Sequence, residues 1–384
     1  MVAVSRLTTK NGDKHMKKHK HYVGLDVHKD TIAVAIAEAG RGGEVRSYGT
    51  IANTLDAFRR LGDKIGGESI ELHVAYEAGP TGFVLYRWMK KHGIDCIVVA
   101  PSKTPRGPGP RQKTDQRDAV QLARLHRAGE LTAIHVPDET DEAIRDLTRA
   151  RADAVADLTR AKNRLKGFLL RNGYRCSVKA NWSDAHMRYL RQLSLPIHIH
   201  SSVLEECLLG VTQALERISR LEALIEVEAP RWRFYPAVQA LTCLRGFKLT
   251  AATVLIAEIG DVKRFEHPRQ LMGFLGLVPR ENTTGQTRRL GSITKAGNAH
   301  ARWILIEAVH HAFHPPKVSS QLALRQVGQP EPYKALSWKA QSRLHRRGWH
   351  LLRRGVMKPK VIVALARELA GFVWALLSQV PLSA

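Results

Sequence analysis

Cysteine is scarce in this chain. Among 384 residues there are four, Cys96, Cys176, Cys207 and Cys243, and none has C-x-x-C spacing. That scatter points to neither a zinc ribbon nor a disulfide framework, and leaves the thiols as small buried hydrophobes of a reducing compartment. Long apolar runs are missing too: nothing reaches the roughly 18 residues a membrane-spanning helix needs, and no signal-peptide pattern opens the chain. A cytoplasmic protein is expected. No G-x-x-x-x-G-K-[ST] phosphate loop is present, which agrees with chemistry that consumes no ATP. The largest deficit is of negative charge, with 35 Asp+Glu against 60 Lys+Arg and a formal net charge of +25. A polyanion is the expected partner.

With acids in short supply, their placement is informative. Asp26 follows the apolar run Tyr22-Val23-Gly24-Leu25, and after a short polar break a second run, rich in β-branched residues, extends from Thr31 to Ala37. The pair reads as a β-hairpin with Asp26 near the end of its first strand. Glu77 ends another strand-like stretch from Ile70, after which Gly79-Pro80 turns the chain into a helix-like segment, Thr81 to Lys91. A last strand spans Ile97 to Ala100. Asp115 and Asp118 lie three apart in an amphipathic helix that continues through Leu125, so both share one face. The order β-β-β-α-β-α-β-α implies an α/β layer fold that brings the four acids together. Carboxylate oxygens are hard ligands for Mg²⁺, and a two-metal site is the chemistry such a set would serve.

Four regions are expected. Residues 1–20 form a flexible basic arm, 21–135 the acid-bearing domain, 136–230 a helical linker and 231–384 a mostly α C-terminal domain. Between the last strand and the Asp pair, residues 101–111 hold four prolines and two glycines, which exclude regular structure. From Asp141 to Asn172 a heptad seam (Ile144, Leu147, Arg151, Ala154, Leu158, Ala161, Leu165, Phe168) implies a long helix. A second helix, Val203 to Val227, carries its own apolar stripe. The two can close as a hairpin or pair between protomers, and a homo-oligomer, dimer or tetramer, is expected.

Leu244-Arg245-Gly246-Phe247, the helix-like Thr250 to Ile259 and Gly260-Asp261 resemble a helix-hairpin-helix unit. The run beyond Pro279, rich in Gly, Thr, Asn and Arg, suits phosphate binding and gives way to a helix near Ala299. Residues 339–360 hold eight cations and no acid, among them Arg343, Arg346, Arg347, Arg353 and Arg354, with Trp338 and Trp349 in or beside the stretch. Cations interleaved with aromatics suit a nucleic-acid backbone with bases stacked on the rings. The final apolar helix, Val361 to Leu377, is expected to pack onto the body.

GLDVHKD, YEAGPTG, KTDQRDA, IGDVKRFEHPRQLMGFLGLVPRE and TTGQTRRLGSITKAGNAHAR, in that order, resemble the motifs of the DEDD transposases of bacterial insertion sequences, a family that includes the Piv-type DNA invertases. The resemblance implies an RNase H/RuvC-like N-terminal domain, a coiled-coil linker and a C-terminal transposase domain with a serine nucleophile. It also implies double-stranded DNA partners, the element's ends and its target, and a non-coding bridge RNA. Carried over by motif, the metal-binding tetrad is Asp26, Glu77, Asp115 and Asp118. The nucleophile position falls on Thr284, before Gly285, so threonine stands where the family has serine. Arg288, Arg289 and Lys295 follow it and are suited to hold a phosphate. The added methyl restricts χ1 and crowds an in-line attack. Two alternatives stay open: a RuvC-like junction-resolving nuclease that activates water, and a degenerate copy that only binds nucleic acid.

Overall fold

The computed structural model describes residues 19–40, 42–65, 70–105, 114–175, 181–284 and 287–381. The basic arm up to residue 18, the later part of the proline-rich loop, Cys176 and Gly285 lie outside them. The chain divides into two compact units, Met1–Val136 and Pro137–Ala384.

The first unit is built on a five-stranded sheet. Its elements are β1 (His19–Val27), β2 (Thr31–Glu38), β3 (Val45–Ala52), α1 (Leu55–Ile65), β4 (Ile70–Glu77), α2 (Val84–Lys91), β5 (Asp95–Val99) and α3 (Asp115–Ala128). The sheet order is β3-β2-β1-β4-β5, antiparallel across β3, β2 and β1 and parallel from β1 to β4 and β5. This is the α/β, RNase H-like arrangement, in the element order the apolar patterning implies.

Alternation along the strands gives the two faces different side chains. Ile32, Val34 and Ile36 of β2, with Val23 and Leu25 of β1, enter a core shared with Phe58 and Leu61 of α1 and Leu85 and Met89 of α2. On the other face Ala33, Ala35 and Ala37 meet Ala119 and Ala123 of α3. Small residues on both sides let α3 lie almost on the strand backbone. At Gly24 the approach is closest: a Cβ there would overlap the Ala119 carbonyl oxygen and the Ala123 amide nitrogen. The helix after Glu77 starts later than its composition implies, because residues 81–83 are a turn whose Gly82 has φ +67°.

The second unit opens with α4 (Glu139–Arg171), α5 (Asp184–Gln192) and α6 (His198–Glu228). α4 and α6 close as an antiparallel hairpin. Leu165, Phe168 and Leu169 pack with Leu204, Leu208 and Val211, while at the other end Arg151 reaches Glu222 at 2.6 Å. The arginine that interrupts the heptad seam is thus neutralised by the facing helix. Leu215, on the expected stripe of α6, is 45% exposed.

Beyond this pair come α7 (Tyr235–Thr242), α8 (Leu249–Ile259), α9 (Pro268–Phe274), β6 (Pro279–Thr284), β7 (Thr287–Ile293), α10 (Ala299–Val309), α11 (Ser320–Gln326), α12 (Glu331–Arg353) and α13 (Lys358–Leu377). The apolar α8 and the buried face of α13 fill one core with Phe247, Leu271, Leu305 and Leu344. The helix-hairpin-helix resemblance falls on α7 and α8, whose linking Gly246 has φ +98° and packs against the Ala308 backbone. The Thr- and Arg-rich run after Pro279 is an antiparallel β-hairpin, with Thr284 opposite Thr287 at its tip and Pro279 opposite Ile293 at its base. Among the described residues, no helix is long and apolar enough to cross a membrane.

Candidate metal centre and nucleic-acid interface

Asp26 sits one residue from the end of β1, and by alternation it faces α3, like Tyr22 and Gly24. α3 begins beside it. Thr114 caps the helix, its hydroxyl accepting from the Arg117 amide, and Asp115 and Asp118 occupy the first turn. Unpaired amides and the helix dipole favour negative charge there, which offsets part of the repulsion between neighbouring carboxylates. The contact of Gly24 with Ala119 and Ala123 therefore sets where the acid pair stands over the strand end.

Asp26, His28 and Asp115 place one ligand atom each within 4.8 Å of one another. His28 Nε2 lies 3.3 Å from Asp26 Oδ2 and 3.4 Å from Asp115 Oδ2. Burial pushes the Asp26 pKa up; His28 pulls against that shift, and Asp115 and Asp118 add to it. A carboxylate strained by like charges gains most from a cation, and two oxygens with one nitrogen are donors that fit a divalent ion. Glu77 ends β4, one residue beyond the pairing of Tyr76 with Leu25, so the backbone places it beside Asp26 on the α3 side. Neither Glu77 nor Asp118 belongs to the three-residue cluster itself. His28 was not legible as a site residue; its only signal is the spacing Asp-x-His after a strand.

Thr284 belongs to the second unit. Every β6 residue from Arg280 to Thr284 is exposed. Arg289 lies opposite Asn282, and Arg288 is in register with Thr283. Lys295, past the base of β7, has φ +55° and donates its amide to the Gly276 carbonyl at 3.1 Å.

The second unit also holds a buried polar centre that little in the local sequence marks as one. Glu258 of α8, with its side chain 1% exposed, accepts from Arg149 Nε at 2.8 Å, from Asn298 Nδ2 at 2.6 Å and meets His300 Nδ1 at 3.2 Å. Burial works against its charge, yet hydrogen bonds from His300, Arg149 and Asn298 prevail and hold the carboxyl well below the usual range. Asn298 also caps α10 through the Ala301 amide. A single acid in the otherwise apolar LTAATVLIAEI was the available signal.

The basic segment 339–360 spans the later part of α12 and the start of α13. Its eight cations are exposed, as are Trp338 (51%) and Trp349 (41%). They are not all unopposed. Glu368 of α13 pairs with both Arg343 and Arg347, the latter at 3.0 Å. Arg346, Arg353 and Arg354 have no acidic partner among the described residues, so they are the better candidates for phosphate contact.

Residues 23–172 match a DEDD-type model of IS110 elements, described as a transposase, and residues 238–322 match one described as the transposase IS116/IS110/IS902 family. A Sinorhizobium fredii protein named "Putative transposase y4qE" is 42% identical over 355 residues, covering 92% of this chain and 88% of that one. The transposase for insertion sequence element IS1533 of Leptospira borgpetersenii is 32% identical over 86% of this chain and 96% of its own. The transposase for insertion sequence element IS1111A of Coxiella burnetii is 25% identical over 77% and 74%.

Proposed function

The chain belongs to the IS116/IS110/IS902 family of transposases, and from that membership we propose that it cuts and rejoins the DNA of an insertion sequence with a divalent-metal site at Asp26, Glu77, Asp115 and Asp118 and with Thr284 as nucleophile. The observation that carries the reading is the convergence of Asp26 and Asp115, from a strand end and a helix start, around one set of ligand atoms. Divalent ions, Mg²⁺ first among them, supply when bound the positive charge that polarises a phosphodiester and stabilises a leaving 3′-oxygen.

The protein's own groups do the rest. The Thr284 hydroxyl forms a bond to phosphorus as the bond from phosphorus to the 3′-oxygen breaks, leaving a protein–DNA phosphoester and a free 3′-hydroxyl. Attack by a different 3′-hydroxyl reverses the step and rejoins the strands, so the bond energy is retained. Arg289, with Arg288 and Lys295, holds the phosphate near the hairpin.

In this reading the basic residues before β1 are a nucleic-acid-binding arm, the segment from β1 to residue 135 is the catalytic domain, 136–230 a linker and 231–384 the transposase domain; His19 and Lys20, expected in the arm, instead open β1 and pair with Ile70 and Glu71 of β4. A bridge RNA encoded by the element guides target choice, and a homo-oligomer brings two DNA partners together. Support for polyanion binding comes from the net charge of +25 and from the exposed Arg346, Arg353 and Arg354 beside Trp349.

Suicide DNA substrates test the nucleophile directly. A covalent adduct that forms with the full chain and disappears with Thr284→Ala supports it. Cleavage without any adduct favours the second reading, a water-activating nuclease, for which the threonine in place of serine is the specific observation.

A further inference from the structure

We infer that His28 is itself a ligand of the divalent ion, through Nε2, and that it turns an all-oxygen acidic site into a mixed nitrogen and oxygen site favouring Mn²⁺ over Mg²⁺. The inference rests on the acidic-site reading above and adds a donor outside the tetrad. Its geometric basis is the position of Nε2 at nearly equal distances, 3.3 and 3.4 Å, from Asp26 Oδ2 and Asp115 Oδ2. Charge-assisted N–H···O bonds run at about 2.7–2.9 Å, so the ring is committed to neither carboxylate. Adjacent ligands on an octahedral ion with bonds of about 2.1 Å stand about 3.0 Å apart, close to the spacing found.

The loop that carries the imidazole is fixed at both ends of the residue. The His28 amide donates to the Thr31 carbonyl at 2.8 Å, and its own carbonyl accepts from Asn53 Nδ2 at 2.7 Å. Two hydrogen bonds from outside the strand hold one residue in place, while its side chain stays 50% exposed and open to an ion arriving from solvent. Imidazole is a borderline donor that suits first-row transition ions, whereas Mg²⁺ prefers oxygen and gives up its waters reluctantly.

Calorimetric titration of the full chain with Mn²⁺ and with Mg²⁺, and pulsed electron paramagnetic resonance of the Mn²⁺-loaded protein, test this. The expected result is an imidazole nitrogen coupling to Mn²⁺ that vanishes in His28→Ala, with Mn²⁺ affinity about 10-fold weaker and Mg²⁺ affinity within about 2-fold of the parent. The half-exposed side chain makes that variant safe for folding, and Asp115→Asn serves as the companion. If Asp115→Asn weakens both ions while His28→Ala leaves the nitrogen coupling or Mn²⁺ affinity unchanged, or raises that affinity, His28 is no ligand and the acidic site stands. If the full chain binds no Mn²⁺, or Asp115→Asn changes neither ion, the acidic-site reading falls and this inference with it.

Discussion

At the acid end of the first unit, side chains are aimed by backbone that is packed on both faces: Leu25 is fully buried on one side of β1, while on the other Gly24 touches the backbone of α3. Along the β6–β7 hairpin of the second unit the described residues from Arg280 to Thr284 are exposed, and so is Leu290, at 55%. The first region is ordered by burial before any ligand arrives. In the second, burial reaches only the base, where Ile293 packs against the core, and a two-stranded ribbon is marginal by itself. The difference assigns the two regions different energy sources. Ligands of the proposed metal site need mutual placement to a few tenths of an ångström, which close packing supplies in advance; the exposed strands of the hairpin have no such packing beyond their base, and on the proposed function bound nucleic acid would supply it.

Substitutions at the chemistry itself test this division with the largest effects. Asp118→Asn keeps the volume and removes a charge, and metal-held charge stabilises such transition states by several kcal/mol, so recombination should fall about 10³-fold or more. Nucleic-acid binding, measured by filter retention, should persist. Thr284→Ala should abolish both recombination and the covalent adduct, while Thr284→Ser should retain or raise them by removing the crowding methyl. An alanine variant that still recombines would place the nucleophile elsewhere or in water.

A matched pair of glycine substitutions separates packed from exposed placement. In Gly24→Ala the new Cβ meets backbone atoms of α3, which cannot rotate away, so the helix carrying Asp115 and Asp118 must shift. Overpacking of this kind costs about 1–3 kcal/mol, and a displacement near 1 Å costs about 10²-fold in rate. In Gly291→Ala the Cβ would meet Arg280 Cβ at 3.6 Å, an ordinary contact. Denaturant melts should show a change within about 0.5 kcal/mol there. Equal losses at the two positions would contradict the division.

Glu258 marks a packed polar centre that ties α8 to Arg149 of α4 and to Asn298 and His300 at the start of α10. Glu258→Gln leaves Arg149 and His300 without their carboxylate; because the Arg149 side chain is half-exposed and its freed charge stays partly solvated, the cost should fall below the roughly 3 kcal/mol of a fully buried pair. Because the folded pKa is depressed, the unfolded state binds the proton more tightly. The stabilisation is therefore fully present above the ordinary glutamate range and is lost as pH falls through that range towards the folded value. Acid melts of parent and Glu258→Gln should converge at low pH. A constant gap down to the acid transition would remove the carboxylate from the account.

How far these features could be read in the chain depends on whether neighbours in sequence or in space define them. The strand and helix order of the first unit was legible because its central strands are covered on both faces and so read as short continuous apolar runs rich in β-branched residues; the sites of Asp26 and Glu77 at strand ends followed from Gly79-Pro80 and the polar break after Val27. The hairpin was not, because strands exposed on both faces carry no apolar alternation, and Thr, Asn and Arg read as loop. Pairings such as Arg151 with Glu222 and Arg149 with Glu258 join distant segments, and nothing local announces them. The same holds for Glu368, whose pairing with Arg343 and Arg347 divides a basic run that looked uniform.

That division yields the smallest expected effect and the sharpest test of how the exposed surface binds. Arginines already paired with a carboxylate exchange one partner for another when phosphate arrives, so they release fewer condensed counterions from the nucleic acid. Arg346, Arg353 and Arg354, exposed and without an acidic partner among the described residues, carry no such competitor. Neutralising these three together should flatten the slope of log K against log salt by up to about 0.7–0.9 per lost phosphate contact. Arg343→Gln with Arg347→Gln should flatten it less, and should instead cost a little stability, within about 1 kcal/mol for so exposed a pair of guanidinium groups. Binding isotherms across a salt series decide between them. If the paired arginines carry the larger slope, Glu368 is displaced on binding and the free surface lies elsewhere on α12; if neither set moves the slope, this helix does not touch phosphate and the cation excess of the second unit acts through the hairpin.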